Sequence, residues 1–273
     1  MRLSIIVTIT GGLLRGFGLM FVWPVVVAAY YREWSDLWGF VVAGAVAIAL
    51  GQLMRLAHPD REPDLRRIEA LAVVSGTWLV VAVLGAVPYV WVGLTPIDAL
   101  FESMSGFTTT GATIFTDFSP FGRGVLFWRS LTQWIGGMGV ITLFVAILPR
   151  LVMGVGQLFF AEAPGPTDEK LTPQIRKTAA VLWRLYAGLT AALFIALMLA
   201  GMSPYDAICH ALTTLAAGGF SPNPLSVAGY DSSAVEWVIC VFMFLAGANF
   251  ALQFRALSRP GLLVRNEEFR VYT

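Results

Sequence analysis

The chain has 273 residues, 57% of them hydrophobic and only 13% charged, with 18 Lys and Arg against 17 Asp and Glu for a formal net charge of +1. A soluble domain carries about 45–50% apolar and about 25% charged residues, so at a mean hydropathy of +0.74 too little polar surface exists to clothe a water-facing fold. An ordinary soluble enzyme, a disordered chain and a nucleic-acid binder with its basic footprint are excluded, which leaves a polytopic membrane protein.

Six mostly apolar runs reach the roughly 20 residues that a helix needs to cross a bilayer core. They cover about 3–30, 38–57, 70–94, 125–149, 177–202 and 234–257. The first is broken by Arg15 and the Gly11-Gly12 pair and meets no small-residue cleavage site, so it reads as a span and not as a signal peptide. Arg15 is then either an intramembrane functional charge or a side chain that snorkels to the interface. Basic residues fall on one side. Arg55, Arg61, Arg66 and Arg67 lie between spans two and three; Arg150, Lys170, Arg176 and Lys177 between four and five; Arg255, Arg259, Arg265 and Arg270 in the tail. The opposite segments keep only Arg32, Arg123 and Arg129. The positive-inside rule puts both termini in the cytoplasm of a multi-pass inner-membrane protein. The stretches His58 to Glu69 and Pro164 to Pro173 read as solvated cytoplasmic connectors. Cys209 and Cys240 sit in apolar runs, which suits neither a disulfide framework nor a thiolate metal site.

The segments after spans three and five carry the chemistry. One opens Thr95-Pro96-Ile97-Asp98 and ends Thr108-Thr109-Thr110-Gly111; the other opens Ser203-Pro204-Tyr205-Asp206 and ends Ala216-Ala217-Gly218-Gly219. They align without a gap at an offset of 108 residues. Thr95 or Ser203 reads as a helix N-cap, Pro96 or Pro204 as the first helical residue, and Asp98 or Asp206 as the third, returning a capping-box bond and meeting the positive end of the dipole. About twelve residues follow before the glycine-bearing stretch, or roughly 18 Å of helix, half the hydrocarbon thickness. Such a helix enters the membrane, stops inside it, and points a partial negative charge at the bilayer centre. Non-helical backbone at that depth must be buried in protein or line a water-filled path. Thr108, Thr109, Thr110 and Gly111 offer carbonyl and hydroxyl oxygens, and Gly111 and Gly219 take positive φ so that neighbouring carbonyls turn one way. Oxygens without carboxylates in the stretch favour a dehydrated monovalent cation over a divalent one. Because two full spans separate the copies, both enter from the same face, giving two repeats of span, half-helix, glycine strand, span behind a leading helix pair.

FESMSGFTTTGAT, QWIGGMGVITLFVAILP, HALTTLAAGGFS and FLAGANFALQF resemble the Trk/Ktr/HKT superfamily of potassium transporters, and most nearly its bacterial Trk-type membrane subunits, over nearly the whole chain. The resemblance implies an all-α membrane fold of M1–pore helix–M2 repeats: residues 1–60 a leading pair, 61–150 the first repeat, and 151–273 the second with its cytoplasmic tail. It implies potassium bound at a filter of Thr108, Thr109, Thr110 and Gly111 with Ala216, Ala217, Gly218 and Gly219, supported by Glu102, Asp98 and Asp206. Ala216 and Ala217 depart from the hydroxyl-bearing residues expected there, leaving backbone carbonyls. Gly111, in place of a serine, looks like the potassium-permeable form; a sodium-permeable member is the alternative. Four repeats around a pseudo-fourfold axis are implied and two are present, so the chain reads as the N-terminal half. A homodimer and a cytoplasmic ring of nucleotide-binding regulatory subunits are implied as partners beside the bilayer, with no cofactor.

Other residues have two readings each. Gly136, Gly137 and Gly139, and Gly247 at the like place in span six, form a hinge or a close approach to the filter, or pack helices through small residues. Glu102 attracts cations or bonds backbone N–H groups behind the filter. His210, at its place in the second half-helix, is a polar partner or a ligand. Gln133 and Asn249 read as interhelical bonds, and Asp117, Asp231 and Glu236 as a cation-attracting mouth. A membrane-embedded hydrolase is disfavoured: neither HExxH nor GxSxG occurs, and the histidines, His58 and His210, fall in a connector and in the second half-helix. A non-conducting membrane partner is the remaining alternative class.

Overall fold

The computed structural model of the chain describes residues 2–57, 67–156, 171–259 and 261–273. Every regular element among them is helical: α1 (Leu3–Met20), α2 (Val22–Tyr30), α3 (Trp34–Ala57), α4 (Arg67–Trp91), α5 (Pro96–Phe107), α6 (Arg123–Gly156), α7 (Leu171–Leu199), α8 (Pro204–Leu215), α9 (Ser233–Gly247), α10 (Phe250–Ser258), α11 (Gly261–Arg265) and α12 (Glu267–Tyr272). Four stretches, Leu3–Tyr30, Trp34–Ala57, Ile68–Trp91 and Lys177–Leu199, are long and apolar enough to cross a membrane. The fourth predicted run lies inside α6, a continuous helix of 34 residues. Leu13, Trp23, Leu53, Leu79 and Ile195 are exposed on these helices, as side chains that face lipid are. The chain folds as two units, Met1–Gln133 with Phe220–Ser226, and Trp134–Gly219 with Val227–Thr273.

In the first unit, small residues set the packing of α1 on α3. A Cβ on Gly11 would stand 2.7 Å from the Gly51 carbonyl oxygen, and one on Gly51 2.6 Å from that of Gly11. Two turns along, a Cβ on Gly18 would meet Ile48 at 2.6 Å. Gly11, read from sequence as a break in the span, is therefore a point of helix contact. Replacing Gly51 by valine is expected to destabilise this pair by about 1–3 kcal/mol through overpacking. Thermal unfolding in detergent checks this, and an unchanged midpoint contradicts it.

The same helices brace α5. Phe21 stacks on Trp128 with ring centroids 4.4 Å apart, Phe17 meets Phe107 edge-on at 5.6 Å, and Phe107 meets Trp128 at 6.2 Å. Phe107 is the last residue of α5, so an aromatic layer holds the C-terminal end of that helix. Ser103 donates to the Ala82 carbonyl (2.7 Å) and Trp128 Nε1 to that of Gly85 (3.1 Å), tying α5 and α6 to α4. Glu69 corrects the connector reading: it lies in the first turn of α4, fully buried, and pairs with Arg2, whose Nη2 is 2.9 Å from Oε2. Burial of a carboxylate requires such a partner. The remainder of that connector, 58–66, and most of the second, 164–170, lie outside the described residues.

In the second unit, Tyr186, Leu193 and Leu197 of α7, Ala207, Ala211 and Leu215 of α8, Val235 and Ile239 of α9, and Met138 form one core. Trp134 Nε1 donates to Thr190 (3.1 Å) and Tyr186 donates to the Trp134 carbonyl (3.2 Å). The sixth predicted run corrects to a broken one, because α9 and α10 bend by 102°. Ala248 leaves the helix with ψ 151°, and Asn249 starts α10 by accepting from the N–H groups of Ala251 and Leu252. Gln253 Nε2 donates back to the carbonyls of Leu245 (2.7 Å) and Ala248 (3.0 Å). Those bonds occupy backbone acceptors that the break would strand in an apolar medium.

Candidate functional site

The two half-helices are each twelve residues long, α5 from Pro96 and α8 from Pro204. Thr95 Oγ1 accepts from the Asp98 N–H (3.3 Å), and Ser203 Oγ from that of Asp206 (3.2 Å). The expected return bond differs in detail. Asp98 and Asp206 each accept from the cap hydroxyl at 2.7 Å, not from the cap's own N–H. The carboxylate still sits at the positive end of the helix dipole, where it is stabilising.

The C-terminal ends also match. Thr110 N–H reaches back to the Ser105 carbonyl (3.0 Å) and Thr109 N–H to that of Gly106 (2.9 Å); Gly218 N–H reaches Thr213 (2.9 Å) and Ala217 N–H reaches Thr214 (3.0 Å). These are Schellman closures, and they require a left-handed residue just past each helix. Thr109 (φ 55°) and Ala217 (φ 53°) supply it, although neither is glycine. Two residues on, Gly111 (φ 75°) and Gly219 (φ 84°) are left-handed again. Each strand thus carries left-handed residues at two-residue spacing, at the same offset of 108 residues. The closures occupy the carbonyls of Ser105 and Gly106 in one helix and of Thr213 and Thr214 in the other. Beyond them, no backbone N–H among the described residues reaches the carbonyls of Thr108 to Gly111 or of Ala216 to Gly219. The threonine hydroxyls are partly used up: Thr108 Oγ1 donates to the Met104 carbonyl (2.8 Å), so Thr110 Oγ1 donates to Thr108 (2.8 Å).

A charged network that the sequence did not reveal stands behind the first strand. Glu102 has no exposed surface, and its Oε1 lies 2.7 Å from Nε of Arg129, itself 1% exposed. The carboxylate also accepts from Thr113 Oγ1 (2.9 and 3.0 Å) and Ile114 N–H (3.2 Å). Of the two readings of Glu102, bonding behind the strand describes what is seen. Arg129, counted among the outer basic residues, is instead a buried member of α6. Its guanidinium lies over the rings of Phe220 (4.3 Å) and Phe115 (4.6 Å), and it donates to Thr113 Oγ1 (2.9 Å) and to the Ser221 carbonyl (3.3 Å). Gln133 is corrected as well: its Oε1 accepts from the Phe220 N–H (3.1 Å), a backbone group of the stretch after Gly219 and not a neighbouring helix.

In the second half-helix His210 stands at the place of Glu102. His210 is buried with its ring edge-on to Tyr230 at 5.4 Å, and no cluster of three His, Cys, Asp or Glu exists among the described residues. Gly137 lies where helix meets strand: a Cβ there would come within 3.2 Å of Ala216 Cα. Gly136 is buried and Gly139 half-buried. Gly247 packs against Tyr272 of α12, whose hydroxyl donates to the Phe244 carbonyl (2.9 Å). The outer acids Asp117, Asp231 and Glu236 are all exposed. Hydrogen bonds from the Ser119 hydroxyl and N–H hold the Asp117 carboxyl below the usual carboxylate range.

The chain is similar to a group of known proteins. The TrkH family, described as cation transport protein, matches residues 38–269. The Trk system potassium uptake protein TrkH of Escherichia coli K12 is 39% identical over 278 residues, covering 100% of this chain and 57% of that protein. TrkH of Halomonas elongata is 39% identical over 261 residues, covering 94% of this chain and 54% of that one. The crystal structure of the potassium transporter TrkH from Vibrio parahaemolyticus superposes with a TM-score of 0.86 at 34% identity, covering 100% of this chain and 56% of that chain. The chain spans about half the length of the relatives it matches.

Proposed function

Starting from the fact that the chain belongs to the TrkH family of cation transport proteins, we propose that it forms part of a potassium uptake pathway across the inner membrane. In this reading Thr108, Thr109, Thr110 and Gly111, with Ala216, Ala217, Gly218 and Gly219, line the filter through their carbonyl oxygens. The observation that carries the reading is the duplicated end geometry: a twelve-residue helix closed by its own Schellman bonds, then carbonyls that no backbone N–H takes up, on a strand with alternate left-handed residues. The dipole of each half-helix adds partial negative charge at its inner end. Carbonyls fixed by backbone conformation replace the hydration shell of a monovalent ion. Glu102 and Arg129 hold the first strand's exit from behind and neutralise each other, so they add little net field to the path. Asp98 and Asp206 seat the outer ends of the half-helices. Both termini face the cytoplasm, and the assembly includes a second copy and a cytoplasmic nucleotide-binding subunit.

Expression in cells that lack potassium uptake tests this. Together with the complementary half of a TrkH relative, the chain is expected to restore growth at low potassium, with rubidium uptake that sodium does not outcompete. Growth on the chain alone supports self-assembly of the same pathway. No uptake of any monovalent cation in either arrangement overturns the proposal and favours a non-conducting membrane partner, while preferential sodium uptake overturns the ion assignment.

A further inference from the structure

Arg129 and Gln133 stand one turn apart on α6, so their side chains share a face. Arg129 gives one nitrogen to Glu102, a second to Thr113 Oγ1 (2.9 Å) and a third to the Ser221 carbonyl (3.3 Å). Thr113 and Ser221 occupy the same place in the two strands, since they are separated by the repeat offset of 108 residues. One guanidinium therefore bonds equivalent points just past Gly111 and just past Gly219. Gln133 adds the Phe220 N–H (3.1 Å), the amide next to Gly219. Its Nε2 is buried without a partner among the described residues, so nothing else dictates how that amide is turned. The second repeat places other residues there: His210 stands at the place of Glu102 and Trp237 at that of Arg129, and α9 contains neither Lys nor Arg.

Extending the permeation reading, on which this rests, we infer that Arg129, assisted by Gln133, is a positioning residue for both oxygen-lined strands and thereby sets the ion preference of the pathway. The fork geometry of arginine is what the role needs. Five fixed donors reach a carboxylate, a hydroxyl and a carbonyl at once, whereas a lysine ammonium is a point charge on a flexible stem. A strand whose exit is pinned keeps its carbonyls at one spacing. A strand released there relaxes around a smaller ion, and discrimination against sodium falls.

Two readouts on the variants Arg129→Lys and Arg129→Met test this. Backbone hydrogen exchange of the purified chain is followed in segments 111–115 and 219–223. Arg129→Lys keeps the charge beside Glu102 and is expected to raise exchange in 219–223 by about tenfold, the scale of one lost charged hydrogen bond, with little change in 111–115. Arg129→Met is expected to loosen both segments; if it fails to fold, the lysine variant alone decides. In the assembly that restores growth, the lysine variant should also lose most of its preference for potassium over sodium while still carrying cations. Exchange in 219–223 that stays at the wild-type rate shows that Arg129 serves its own repeat only and overturns the inference. So does a loosened 219–223 with unaltered ion preference. A wild-type assembly that carries no cation at all defeats the permeation reading instead, and the exchange data then report the anchor independently.

Discussion

Replacing Gly111 by serine is expected to reduce the preference for potassium over sodium by about tenfold or more, which corresponds to about 1.4 kcal/mol of lost discrimination. Gly111 has φ 75°. A side chain at that φ costs about 1–2 kcal/mol per residue, and the strand relieves it by turning the flanking peptides. Turning them moves the carbonyls of Thr110 and Gly111, which no backbone N–H holds among the described residues. In the proposed filter potassium then loses its oxygens, while a smaller ion tolerates the irregular cage. Gly219→Asp combines the same strain (φ 84°) with a fixed negative charge and is expected to slow transport severely, because an ion bound too tightly does not leave. Competition between rubidium and sodium uptake in the complete assembly measures both, and wild-type selectivity in either variant counts against the filter assignment.

Removing one partner of the Glu102–Arg129 pair has the largest expected effect on stability. Both side chains are essentially without exposed surface, so Glu102→Ala leaves a guanidinium uncompensated, and Arg129→Ala leaves a carboxylate so. Breaking a buried pair in this way costs about 3–5 kcal/mol, or a drop of about 10 °C in the unfolding midpoint for a chain of this size. Replacing both together, Glu102→Gln with Arg129→Met, is expected to recover most of that loss, because two uncharged side chains of similar volume avoid the desolvation that the pair must offset. Thermal unfolding of the four proteins in one detergent gives the coupling energy directly. Additive losses would mean that the two residues act separately.

How much of this was legible from the sequence depends on the range of the interaction. The half-helices were readable because an N-cap acts within one turn: Thr95, Pro96 and Asp98 announce α5, and Ser203, Pro204 and Asp206 announce α8. The second left-handed position was readable because glycine stands there. The first was not, since Thr109 and Ala217 are placed by the Schellman closure and not by residue type. Arg129 was misread for a related reason. In sequence it is a single basic residue near a span end, and its partner Glu102 lies 27 residues away. Its neighbours Phe115, Phe118 and Phe220 become visible as a cation–π cage only once the chain is folded. The bend between α9 and α10 hid inside an apolar run that satisfied every composition test for a straight span. Its local signal was Asn249, a good cap residue followed by a fresh helical stretch, but an isolated Asn also suits interhelical bonding.

The similarity to TrkH proteins, at 34% identity and TM-score 0.86, shows the family and the fold, and the proposed ion chemistry rests on the carbonyls themselves. Anomalous diffraction from crystals of the complete assembly soaked in rubidium or thallous salt addresses them most directly. A monovalent ion coordinated by backbone oxygens of both the Thr108–Gly111 and the Ala216–Gly219 strands is the predicted result. Ion density confined to sites away from both strands, with their carbonyls bonded to protein, would contradict it.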